Sequence, residues 1–193
     1  MHPVLEMRDT WTFDDLQALP EDVDWRRYEI VDGALVVSPA PAPLHEYVIS
    51  QVQFALRSAI PKGYAVIGSS AIDLHPSYRV PDVTVVALSV FASQELLVQP
   101  ADILLTVEVV SPGSVTTDRI TKPAQYAAGG IRAYWRVETD PDISLSAYVL
   151  DAGVYREVGS WSSGEIARIT DPFAVEITVA DLVPRSDSGS AAT

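Results

Sequence analysis

The chain has 193 residues, 48% hydrophobic and 20% charged, a balance that excludes a disordered or collagen-like polymer and predicts a single domain with a sizeable core. It contains no cysteine, which excludes disulfides, thiol nucleophiles and thiolate metal sites, so any metal must be held by oxygen or imidazole. The formal charge of −13 argues against a protein that coats nucleic acid without discrimination. That charge is uneven. Residues 1–32 carry 9 acids and 3 bases and residues 138–193 carry 10 and 3, whereas residues 33–137 carry 7 of each, so chemistry in the middle works in a locally neutral segment. No apolar run approaches the roughly 20 residues that span a bilayer, and MHPVLEMRDT lacks the layout of a signal peptide. The expectation is a soluble, cytoplasmic protein with no membrane partner.

Along the chain, Thr12 with Asp15 three residues later reads as the cap of a short helix ended by Pro20. Tyr28–Val31 and Ala34–Val37 flank Asp32-Gly33, the signature of a tight β-hairpin. Leu44, Val48, Val52, Ala55, Leu56 and Ala59 recur at helical spacing, which predicts a helix over 44–60 closed by Pro61 and Gly63. Strands are expected at Tyr64–Leu74, Asp82–Leu88 and Ile103–Val110, the last almost continuously apolar and therefore central. A helix over 118–128 carries Pro123 in its first turn and stops at Gly129-Gly130. Ile131–Glu138, Ser144–Leu150, Val154–Val158 and Glu165–Thr170 read as strands separated by polar turns. The fold class is mixed α/β with an antiparallel C-terminal half, one domain over 1–184 and a flexible tail over 185–193.

Glu108 lies inside ILLTVEVV, where an ionised carboxylate loses several kcal/mol of hydration unless it is paired or bound to a cation. Arg132 or Arg136 could satisfy it structurally. Asp82 follows Pro81 at the start of a neighbouring strand. If the two strands pair, facing carboxylates approach within roughly 5 Å, close enough to share a hard divalent cation such as magnesium or manganese. Lys122 stands out in a chain with eleven arginines and two lysines, as a compact ammonium near the start of a helix. His45 is in line with Ile49, Val52 and Leu56 and points inward. Each of these residues also has an ordinary structural use. An acid after proline is usually a cap, a lone histidine is usually a core residue, and Glu29 and Lys122 taken singly are usually surface charges. Tyr134-Trp135 reads as core.

Taken in order, Tyr28-Glu29-Ile30-Val31-Asp32-Gly33, His45, Pro81-Asp82, Val107-Glu108-Val109-Val110-Ser111-Pro112, Asp118…Lys122…Tyr126 and Gly130-Ile131…Tyr134-Trp135 form a pattern. It resembles the Uma family of restriction-endonuclease-like proteins, within the PD-(D/E)XK nuclease superfamily, from about Thr12 to Val183. The resemblance implies a restriction-endonuclease-like mixed sheet core flanked by helices. It makes Asp82 and Glu108 the paired metal ligands, with Lys122 as the catalytic lysine and Glu29 and His45 as further active-site residues. The strict motif puts a lysine two residues after the glutamate; here that position is Val110, so Lys122 must reach in from the following helix. The activity implied is magnesium- or manganese-dependent hydrolysis of DNA phosphodiester bonds. The alternative is a catalytically inactive relative acting as a binding or interaction module, motivated by the acidic charge. Glycoside hydrolysis by a carboxylate pair is disfavoured because it has no use for the lysine. The antiparallel sheet and acidic ends allow a homodimer.

Overall fold

A computed structural model describes residues 9–19, 27–93 and 95–185. The predicted stop at Pro20 and nearly all of the expected tail, 186–193, lie outside the described residues. The first element, α1 (Phe13–Gln17), opens on the predicted cap: Thr12 and Asp15 exchange side-chain and backbone hydrogen bonds, so aspartate fills the capping-box position usually held by glutamate. The hairpin forms as expected from β1 (Arg27–Val31) and β2 (Ala34–Ser38). Its two-residue turn holds Asp32 and Gly33 at φ of 49° and 81°, the left-handed region that Asp-Gly tolerates. The long helix α2 (Pro43–Ala59) buries Val48, Val52 and Leu56 of the predicted stripe together with Ile49, while Ala55 and Ala59 are half-buried and Leu44, in the first turn, is 42% exposed.

The structure divides the expected strand Tyr64–Leu74. β3 (Tyr64–Ile67) belongs to one sheet and β4 (Ile72–Leu74) to another, because Gly68-Ser69-Ser70 turns the chain, with Ser69 at a φ of 54°. β5 (Ser77–Arg79) pairs with β4 and with β1 through Ile30 opposite Tyr78, so a four-stranded sheet has the order β2-β1-β5-β4. β6 (Val83–Ala87), β7 (Ile103–Val109), β8 (Ala133–Glu138), β9 (Ser144–Asp151) and β10 (Val154–Ser162) complete a six-stranded sheet of order β10-β9-β8-β7-β6-β3. Its single parallel pair, β7 with β8, is joined through α3 (Lys122–Ala128); the other neighbours are antiparallel. A hairpin of β11 (Ile166–Ile169) and β12 (Val175–Thr178) follows, its second strand in a segment the sequence pattern had not marked.

The two faces of the large sheet differ in chemistry. On one, Val83, Val85, Val107, Val109, Trp135, Val137, Leu145 and Ala147 pack with the α2 stripe and with Ala167, Ile169, Val175 and Ile177 of the final hairpin. A fully buried aliphatic side chain here contributes about 1.5–3 kcal/mol. On the other, a smaller cluster of Ile72, Val86, Val98, Ile103, Tyr126, Ile131 and Tyr134 packs beneath α3. The polar members of β6 and β7, Thr84, Thr106 and Glu108, alternate onto this second face, which is where chemistry can be housed. Among the described residues no helix is long and apolar enough to cross a membrane.

Candidate active site

β6 and β7 run antiparallel with Val83 opposite Val107 and Thr84 opposite Thr106. One further step of that register sets Asp82 opposite Glu108, and opposed residues project to the same face. Both are buried, at 2% and 1% exposure. Asp82 Oδ2 accepts the Val109 N–H at 2.8 Å and lies 3.4 Å from His45 Nε2, while Oδ1 accepts Arg27 Nη1 at 2.7 Å. Glu108 Oε2 accepts Lys122 Nζ at 2.7 Å, and Oε1 accepts the Tyr126 hydroxyl.

Lys122 reaches Glu108 from the next element, as the apolar Val110 requires. A π turn over Thr117–Thr121 closes with the Lys122 N–H on the Thr117 carbonyl, and Pro123, which has no N–H to offer, sits in the first turn of α3. Asp118, Lys122 and Tyr126, spaced by four, face inward together. Lys122 Nζ is also 3.0 Å from Asp118 Oδ1. Arg132 and Arg136, candidate structural partners of Glu108, bind Asp171 and Glu138 instead.

His45, in the first turn of α2, brings Nε2 to 2.9 Å from the Val109 carbonyl; its Nδ1 is buried without a hydrogen-bond partner among the described residues. Glu29 is buried rather than superficial. Its Oε1 accepts the Val80 N–H at 2.8 Å and its Oε2 lies 3.4 Å from Arg79 Nη1. It makes no direct hydrogen bond to Asp82 or Glu108, but its charge reaches Lys122 and Arg27. Arg79, 1% exposed, donates Nε to Gln125 Oε1 at 2.7 Å, which ties Glu29 to α3.

The electrostatics follow from burial and crowding. Burial pushes the Asp82 carboxyl up, but the His45 hydrogen bond and the Arg27 charge outweigh it and hold Asp82 down at about 2. Burial pushes Glu108 well above the usual carboxylate range; Lys122 opposes that, while Asp82 and Asp118 add to it. Burial alone would free Lys122 of its proton, yet Glu108, Glu29, Asp118 and Asp82 together raise its pKa and keep it an ammonium. His45 is likewise raised, because Asp82 overrides desolvation. Four buried acids, Glu29, Asp82, Glu108 and Asp118, thus face Arg27, Arg79, His45 and Lys122 in one crowded polar cluster.

The chain matches the Uma2 family, described as "Putative restriction endonuclease", over residues 13–180. It belongs to that family. The fold agrees: a crystal structure of "a putative nuclease belonging to DUF820" from Anabaena variabilis superposes with a TM-score of 0.66 over 89% of this chain and 97% of that one, at 19% identity. No curated protein matches the chain. Within this Uma2 frame, the residues that sequence reasoning left without a role are Arg27, Arg79, Asp118 and Tyr126. Three carried a signal. Asp118 and Tyr126 fall one helical step on either side of Lys122, and Arg27 shares a strand face with Glu29 two residues on, but nothing in the pattern marked Arg79 as buried.

Proposed function

We propose that this protein is a divalent-metal-dependent endonuclease that hydrolyses phosphodiester bonds in DNA. The observation that carries the reading is the convergence of Lys122 Nζ, 2.7 Å from Glu108, on the sheet face that Asp82 shares. Among the described residues no group of three or more acidic or imidazole side chains is arranged to hold a metal. Two carboxylates are sufficient for magnesium, which keeps several of its waters, so Asp82 and Glu108 are the residues that would hold it. Magnesium or manganese bound there would supply a Lewis acid for the phosphoryl oxygen and a water acidified toward hydroxide.

The chain's own groups have assignable parts. Lys122, kept protonated by its acids, offsets negative charge that builds on phosphorus and orients the attacking water. His45 fixes Val109 and Asp82 through Nε2, which holds the carboxylate in place. Glu29, locked by Val80 and Arg79, contributes field at Lys122. Tyr126 holds the second oxygen of Glu108.

The test is conversion of supercoiled plasmid to nicked or linear forms. Wild-type protein cuts with magnesium or manganese and stops when a chelator is added; Asp82→Asn and Glu108→Gln each lose at least about a hundredfold in rate, in the range of removing a principal electrostatic stabiliser. Cleavage that persists in Asp82→Asn refutes the reading. One observation favours a second reading, a non-catalytic binding module: Arg27 and Lys122 already pair with both carboxylates. Manganese titration separates the two. Stoichiometric binding that Glu108→Ala abolishes supports the enzyme, and absence of binding supports the module.

A further inference from the structure

Most surface ion pairs among the described residues join one arginine to one acid: Arg132 with Asp171, Arg156 with Asp151, Arg168 with Glu176 and Arg185 with Asp181. Glu138 departs from this. Its Oε1 lies 2.9 Å from Arg119 Nε and 2.9 Å from Arg136 Nε. Two guanidiniums therefore share one carboxylate oxygen in a protein whose net charge is −13. The surplus positive charge lies beside the candidate active site. Arg136 is the parallel-register neighbour of Glu108, and Arg119 belongs to the π turn that carries Asp118 and leads into Lys122.

The state of the two side chains suits an anion. Arg119 Nε donates to Glu138 Oε1, whereas Arg136 Nε, 2.9 Å from the same oxygen, is buried and makes no hydrogen bond among the described residues, and the terminal nitrogens of both arginines make none there either. Arg136 is fixed against the Tyr148 ring, 5.5 Å from its centroid, which holds the guanidinium plane and leaves its edge for a ligand. Arg119 is 44% exposed and Arg136 20%, so solvent and ligand reach both. A planar fork of N–H donors is matched to phosphate oxygens, and two forks on one anchoring acid present that geometry already assembled.

We propose that Arg119 and Arg136 form a phosphate clamp that grips the backbone of the nucleic-acid substrate next to the bond being cut, with Glu138 holding the two arginines together until the phosphate arrives. The inference rests on the nuclease reading. It explains how an acidic protein engages a polyanion: the cationic surplus is small and sits where the strand must pass. The clamp reads backbone and not bases, so it sets affinity and register without sequence preference.

The experiment measures binding of wild-type protein to a labelled DNA duplex by fluorescence anisotropy across a sodium chloride series, with chelator present so that no cleavage occurs. The Arg119→Ala/Arg136→Ala protein is expected to bind about tenfold more weakly at low salt, and its slope of log affinity against log salt is expected to fall by about 0.9, one phosphate contact. Glu138→Gln, which removes the competing acid and spares both arginines, is expected to bind more tightly, and that gain is expected to vanish when Arg119 and Arg136 are also alanine; a mere loss of negative charge predicts the same gain in both backgrounds. Unchanged affinity and slope in the double variant, weaker binding by Glu138→Gln, or no salt-dependent binding by wild-type protein overturns the clamp. Plasmid cleavage by wild-type protein alongside any of these results leaves the nuclease reading standing and rejects the clamp alone.

Discussion

Lys122 is 5% exposed and sits between Glu108 and Asp118, so its ammonium is the positive centre of a buried network. Removing one partner of such a network leaves the other charges uncompensated, at a cost of about 3–5 kcal/mol. Lys122→Met is expected to lower metal-free stability by that amount in urea denaturation. The loss should be larger at pH 9 than at pH 6, because Glu108, raised by burial and raised further without Lys122, takes up its compensating proton more readily at the lower pH. Asp82 has the opposite sign. Its folded pKa of about 2 lies below the usual carboxylate value, so its contribution, about 2 kcal/mol, is present above pH about 4 and is lost as pH falls toward 2. The stability difference between wild type and Asp82→Asn, measured without metal, should therefore shrink between pH 5 and pH 2. A difference that is constant over that range would show that the Arg27 and His45 contacts do not perturb Asp82.

At the scale of elements, the β1–β2 hairpin delivers Arg27 and Glu29 to the site, and its register depends on the Asp32-Gly33 turn. A Cβ at Gly33 would be strained at a φ of +81° and would come within 2.9 Å of Thr10 Cγ2. Gly33→Ala is expected to cost about 1–2 kcal/mol in thermal or chemical denaturation, and a stability equal to wild type would show that the turn does not set the hairpin. This turn and the α2 stripe were readable because each follows from local rules, a two-residue loop in one case and a 3.6-residue period in the other. The chain from Tyr64 to Leu74 was misread as one strand because its apolar residues continue across Gly68 and Ser69, where only the backbone reveals a corner. Val175–Thr178 gave no warning, since four residues alternating on a short edge carry little periodic signal, and its pairing with Ile166–Ile169 supplies the context. Asp82, Glu108 and Lys122 could be named from the ordered pattern. The pairing of Arg27 with Asp82 and of Arg79 with Glu29 could not, because contacts across 50 residues or more leave no trace in spacing.

For the whole molecule, the sheet separates two tasks. Its α2 face carries the large apolar core, and its α3 face carries the acids, so the site can hold costly buried charge against a rigid support. On the proposed reading, a cation held by Asp82 and Glu108 ties global stability to its binding. Manganese at a hundred times its dissociation constant should stabilise the fold by about 2.7 kcal/mol and raise the melting temperature, and Glu108→Gln should abolish the shift. An equal shift in Glu108→Gln would place the cation elsewhere on an acidic surface. The most direct test of the account is the anomalous diffraction of a crystal soaked in manganese. A peak bridging the carboxylates of Asp82 and Glu108 is the predicted result. Density absent there, with Arg27 still on Asp82 and Lys122 still on Glu108, would contradict it and leave the two acids as partners in structural ion pairs.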